Sequence, residues 1–166
     1  MDIEASHNFR RISERLTTSG SVPPDGLKAL REQGYEVVVD LLPGSSEYAI
    51  PDERQTVESQ GIEYVNIPVD FKRPTSSDFW RFAQALDRVN GKKVHVHCAA
   101  NYRVSAFYSL YTVGSGLWSS ERAMEFIHSI WQPTEHPGWS DFIVGILAEI
   151  GARQSVPVDR RDAVSR

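Results

Sequence analysis

Between His97 and Phe107 the chain reads HCAANYRVSAF, bringing a thiol, a guanidinium and a hydroxyl close together at Cys98, Arg103 and Ser105. The segment follows a β-branched run, KVHVH, and leads into residues with helical spacing. A strand, a cysteine, a tight loop and a helix start together make an anion trap. Backbone N–H groups from Ala99, Ala100, Asn101, Tyr102, Arg103 and Val104 can converge on one oxyanion, and the helix N-terminus adds its positive end. The same field favours a thiolate at Cys98. Arg103 can clamp two phosphoryl oxygens with its planar fork. Ser105 could hydrogen-bond the thiolate or stabilise it as a leaving group. Asn101 suits a tight bend, because Asn tolerates left-handed backbone better than most residues. An isolated cysteine at a strand end would instead be an inert buried thiol.

The elements that must hold this loop are short. Glu36–Leu42, Ile62–Ile67 and Lys93–His97 are β-branched or aromatic-rich runs, two of them closed by Pro43 and Pro68. Helices are expected from Pro23–Pro24 to Gly34, over Asp52–Gln60, over Thr75–Val89, and over Arg103–Val113, Ser120–Trp131 and Ser140–Ile150. Thr75–Val89 carries the clearest signal, with Phe79, Phe82, Ala83 and Leu86 on one face. Alternating helices and buried strands imply an α/β fold, a three-layer α/β/α domain with a mainly parallel sheet. Sites in such sheets lie beyond the carboxyl ends of the strands, which is where Cys98 falls.

Composition narrows the classes further. The 166 residues carry 18 Lys+Arg against 22 Asp+Glu, a net charge of −4, so there is no basic excess for a nucleic-acid partner. One cysteine excludes an intramolecular disulfide framework. Val104–Ser120 is the longest stretch without charge and is too short and polar for a membrane span. The N-terminus lacks the apolar core of a secretory signal. The expectation is a soluble, cytoplasmic domain over residues 1–151 with a mobile tail over 152–166. His95 and His97 share a strand face, but no further ligands at metal spacing accompany them, so no metal or cofactor is expected. Oligomeric state is not encoded legibly.

The residues HCAANYRVS resemble the signature of cysteine-dependent protein tyrosine phosphatases of the compact dual-specificity type. ERLTTSGSVPPDGLKALREQGYEVVVDLL and IEYVNIPVDFKRPTSSDFWRFAQAL are similar to the opening and the acid loop of a bacterial branch that includes beta-lactamase-hydrolase-like phosphatases. The resemblance covers about residues 9–150. It implies a phosphocysteine mechanism, with Cys98 as nucleophile, His97 orienting the loop and Asp70 as the general acid, acting on a phosphorylated protein or a small phosphate ester. Asp78 is a competing carboxylate, although a first-turn position already suits it. Lys72 and Arg73 would make the rim positive. Tyr102 could stack on an aryl substrate, and Trp131, His136 and Trp139 could wall or underlie the loop.

One spacing departs from that signature. The usual pattern has five residues between Cys and Arg; here four intervene, and Val104 takes the usual Arg place. The shorter loop resembles that of rhodanese-type sulfurtransferases, which carry a persulfide. Two alternatives therefore stand beside a phosphatase: a rhodanese-like sulfurtransferase, or a phosphate-recognition module without turnover.

Overall fold

In the computed structural model, residues 2–155 are described. Five four-residue strands form one sheet: β1 (Arg10–Ser13), β2 (Leu16–Ser19), β3 (Val37–Asp40), β4 (Glu63–Asn66) and β5 (Val94–His97). Their order is β1-β2-β5-β3-β4, parallel throughout except for the antiparallel β1–β2 pair at one edge. Six helices accompany them: α1 (Pro24–Lys28), α2 (Glu53–Glu58), α3 (Ser76–Arg88), α4 (Tyr102–Gly114), α5 (Ser120–His128) and α6 (Trp139–Gln154).

The alternation of strand side chains sets the three layers. Val37 and Val39 of β3, with Val94 and Val96 of β5, enter a core shared with Phe79 and Phe82 of α3, Phe107 of α4 and Ile146 of α6. Val38 points the other way, to Leu27 of α1, Val57 of α2 and Ile62. A strand covered on both faces has no polar side to show, which is why β3 reads as an unbroken VVVD. Burying each large apolar side chain contributes about 1.5–3 kcal/mol, so the aromatic face of α3 alone anchors that helix firmly. Thr75 caps it, its side chain accepting from the Asp78 N–H at 3.0 Å.

Two strands escape the apolar-run criterion. β2 is LTTS, and Thr17, Thr18 and Ser19 are fully buried. Thr17 Oγ1 lies 2.7 Å from Tyr35 Oη and 2.8 Å from His95 Nδ1, and Ser19 Oγ lies 2.8 Å from His95 Nε2. Hydrogen bonds, rather than apolar character, make this strand buriable. The first and second helices are shorter than expected. The final helix runs through Gln154, so the tail expected from Ala152 starts inside its last turn; residues 156–166 lie outside the described ones. Among the described residues, no helix is long and apolar enough to cross a membrane.

Candidate active site

The four parallel strands end at Ser19, Asp40, Asn66 and His97 on one edge of the sheet, and the following loops meet there. The loop after β5 is held by its carbonyls. Cys98 O faces His97 Nδ1 at 3.4 Å, Ala99 O accepts from Ser21 N at 2.9 Å and Ser21 Oγ at 3.2 Å, and Ala100 O accepts from Asn8 Nδ2 at 3.0 Å. In a trans peptide the N–H points opposite to the preceding C=O. Tying three successive carbonyls to the surrounding structure therefore turns the amides of Ala99, Ala100 and Asn101 the other way. Asn101 closes the bend with φ +68°, as its residue type suggests. Its Nδ2 donates to Asn8 O at 2.9 Å and Thr18 Oγ1 at 3.0 Å. The first helical bond of α4 runs from Ser105 N to Asn101 O, so the amides of Tyr102, Arg103 and Val104 precede the ladder.

Gly20 explains how close this loop sits to β2. A Cβ there would lie 2.4 Å from Ala99 O and 2.7 Å from Ala100 Cα, both backbone atoms with nowhere to move. Gly20→Ala is expected to destabilise the domain by about 1–3 kcal/mol and to spoil the loop. Urea unfolding together with alkylation of Cys98 checks this; an unchanged midpoint and rate would show that the loop is not held by that contact.

Arg103 points towards the cleft and Val104 away from it. Val104 is fully buried in the main core, whereas Arg103 lines an open cleft of about 860 Å³ with Cys98, Asp70, Phe71, Lys72 and Tyr102. The guanidinium donates through Nη1 to Val69 O at 3.0 Å and lies 5.4 Å from the Phe71 ring centroid, while its buried Nε has no protein acceptor. A buried charged donor without a protein partner is suited to an anion. Ser105 departs from expectation. Its Oγ donates to Tyr102 O at 3.0 Å and accepts from Trp131 Nε1 at 2.9 Å, so it braces α4 instead of serving Cys98. Tyr102 is likewise committed, stacked on Trp131 at 4.8 Å with the rings 3° apart.

Asp70 reaches the same cleft on the loop after β4, and both neighbouring carbonyls are pinned. Arg103 holds Val69 O, and Trp139 Nε1 of α6 donates to Phe71 O at 2.8 Å. The Phe71 ring packs among Trp131, His136 and Trp139, with centroids 6.0, 5.4 and 5.4 Å away. The tryptophans thus underlie the loop. Asp70 itself is exposed, with Oδ1 accepting from Lys72 N at 2.9 Å. Asp78 is elsewhere: it is buried in the first turn of α3, paired with Arg81, and does not line the cleft.

A thiol, an arginine and a carboxylate in one cleft fit the resemblance, and the comparisons decide the family. The model of a DSP-PTPase phosphatase fused to NAD+ kinase matches residues 4–131. The chain belongs to this phosphatase family. A DUF442 protein of Shewanella putrefaciens CN-32 is 33% identical, over 88% of this chain and 92% of that one, with a TM-score of 0.78. TpbA of P. aeruginosa is 17% identical, over 84% of each chain, at TM-score 0.67. PTPMT1, in complex with PI(5)P, is 23% identical over 89% of this chain and 99% of that one, at TM-score 0.65. The last two show the shared fold alone. No curated protein matches the sequence.

Below the loop, this dual-specificity-type phosphatase domain carries a buried polar cluster that its sequence did not reveal. His97 Nε2 lies 2.5 Å from Glu53 Oε2 and 3.7 Å from Asp40 Oδ1, and all three residues are at most 4% exposed. Burial alone would strip the proton from His97. The Asp40 and Glu53 carboxylates, the Glu53 hydrogen bond and the Cys98 carbonyl outweigh burial and raise it to about 9. Glu53 is raised too, chiefly by burial. At neutral pH His97 therefore keeps both ring protons, with Nε2 facing Glu53. His95 is driven the other way, well below its usual value, by burial and then by His97; it remains neutral between Thr17 and Ser19. Its two nitrogens are thereby occupied, so it forms no metal pair with His97. Among the described residues, Asp40, Glu53 and His97 are the one group of three His, Cys, Asp or Glu side chains with ligand atoms mutually within 4.8 Å; His97 Nε2 is hydrogen-bonded to Glu53, while Asp40 accepts from Leu42 N and Tyr64 Oη. Glu53 passed unnoticed in sequence because a first-turn Glu suits any helix.

Proposed function

We propose that this chain hydrolyses phosphate monoesters through a phosphocysteine at Cys98. The carrying observation is the convergence of Cys98, Arg103 and Asp70 on one cleft over a loop whose carbonyls are all tied outward. Cys98 Sγ attacks phosphorus as the ester P–O bond breaks, and Asp70 protonates the departing oxygen. Water, deprotonated by Asp70, then attacks phosphorus as the S–P bond breaks, releasing phosphate and the Cys98 thiolate. The amides and Arg103 hold the charge of the transferring group throughout. Arg103 and Lys72 are the two cations lining the cleft, which suits a single phosphoryl group on a phosphorylated protein or small ester. Phosphotyrosine, seen with TpbA, and PI(5)P, seen with PTPMT1, supply two such chemistries to try. A thiol nucleophile operates best in a reducing compartment, which supports the cytoplasm. The four-residue gap between Cys98 and Arg103 is what favours the sulfurtransferase reading.

Purified protein assayed with an aryl phosphate in the presence of chelator is expected to release phosphate, with sulfur transfer from thiosulfate to cyanide negligible. The reverse pattern would make the chain a sulfurtransferase, and neither activity with retained phosphate binding would make it a recognition module.

Asp70 has its own signature. Asp70→Asn is expected to slow an alkyl phosphate about 10²–10⁴-fold and an activated aryl phosphate far less, since a good leaving group needs little protonation. The high-pH limb of the rate profile should vanish with it. Equal slowing of both substrates, with that limb intact, would remove the acid role from Asp70.

A further inference from the structure

His97 stands between two oxygens. Its Nδ1 faces Cys98 O at 3.4 Å and its Nε2 faces Glu53 Oε2 at 2.5 Å. A carbonyl oxygen only accepts, so attraction at Cys98 requires a proton on Nδ1. With that proton in place, a bare Nε2 would repel the Glu53 carboxylate unless a second proton lies between them. The pair must therefore hold two protons. Asp40 does not compete for either, because Oδ1 accepts from Leu42 N at 2.9 Å and Oδ2 from Tyr64 Oη at 2.6 Å. It contributes negative potential from β3, where it sits beside His97 in register. The remaining titratable groups facing His97 are His95, stacked at 6.2 Å and neutral, and Cys98 itself.

We infer that Glu53 is a positioning residue for the nucleophile loop, fixing His97 so that Nδ1–H donates to the carbonyl of Cys98. Pulling that carbonyl beneath the loop turns the Ala99 N–H up toward the cleft. The same logic fits the raised proton affinity of both partners, and it gives α2, an element that does not line the cleft, a hold on the reaction. Burying this ionic cluster is costly, and its members are arranged so that the one side chain touching the nucleophile loop is His97. What separates Glu53 in this role from a generic core partner is that a replacement able to hydrogen-bond Nε2 is expected to keep the role and an isosteric apolar one to lose it. The activity consequence rests on the phosphatase reading; the state of His97 does not.

The test uses the full chain with Glu53→Gln, which keeps a hydrogen bond and drops the charge, and Glu53→Met, which drops both. In ¹⁵N NMR, His97 of the parent is expected to carry protons on both ring nitrogens at pH 7. Glu53→Gln should keep Nδ1–H while Nε2 loses its proton near neutrality. Glu53→Met should lose the ordered Nδ1–H signal. Iodoacetamide alkylation of Cys98 and kcat on an aryl phosphate should both fall on the order of tenfold in Glu53→Met, with KM moving less and Glu53→Gln recovering most of the rate. A parent His97 that is bare at Nδ1 at pH 7 would overturn the inference. So would a Glu53→Met variant with unchanged NMR and alkylation, or stoichiometric zinc binding by the parent that Glu53→Gln abolishes. The expected NMR and alkylation results in a chain that releases no phosphate would leave Glu53 in this role and refute the phosphatase reading alone.

Discussion

Cys98→Ser is expected to abolish phosphate release, a loss of at least about 10⁴-fold, while inorganic phosphate still binds with near-parental affinity. A serine hydroxyl fits where the thiol sits but is not ionised near neutral pH, and Asp70 is needed in its protonated form to release the leaving group. The proposed anion-binding loop is a separate structure. Its amides are aimed by Ser21, Asn8 and His97, and its guanidinium is set by Val69 O, none of which depends on the sulfur. Phosphate-dependent thermal shifts alongside turnover separate the two functions. Residual turnover within tenfold of the parent would mean that the phosphoryl group is not carried on Cys98.

Arg103→Lys should be nearly as damaging as Arg103→Ala, each slowing turnover about 10²–10³-fold. Arg103 faces two ways: Nη1 donates to Val69 O in the Asp70 loop, while its buried Nε has no protein acceptor. An ammonium is one point charge and cannot face both directions with the geometry of a planar fork. Lysine should therefore lose phosphate affinity and loosen Asp70 together, making the leaving-group dependence steeper. If Arg103→Lys stays within fivefold of the parent, charge alone suffices and the fork is not used. The one-residue shift of the arginine has a simple structural outcome here: Arg103 occupies the first turn of α4 facing the cleft, and Val104 fills the core where the other spacing would have put an arginine.

Much of this arrangement is written locally. The apolar face of Thr75–Val89, the VVVD run and the HCAANYR segment each declare their structure within a dozen residues, and the loop chemistry follows from adjacency. What stays hidden depends on distance. Glu53 meets His97 from 44 positions away, and Asn8 meets Ala100 from 92; neither pairing leaves a trace in spacing. β2 is concealed for a different reason: its buried hydroxyls imitate a polar loop until Tyr35 and His95 are known to receive them. Ser105 shows the converse error. Its position beside the nucleophile suggested chemistry, but a helix turns each side chain by about 100°, and its hydroxyl faces Trp131.

The double pin on the Asp70 loop has a consequence for selectivity. Enzymes that fold a gate over their substrate can reject a poor one by failing to shut, so discrimination is spent in the closing step. With Val69 and Phe71 fastened by Arg103 and Trp139, opening the Asp70 loop would break two hydrogen bonds. If that loop stays in place through the reaction, turnover is expected to vary little with solvent viscosity, and preference among esters to follow the rim, where Tyr48, Glu47 and Lys72 line the cleft. Altering preference in such a domain is then a matter of changing that rim while leaving the two pinned carbonyls beneath it alone.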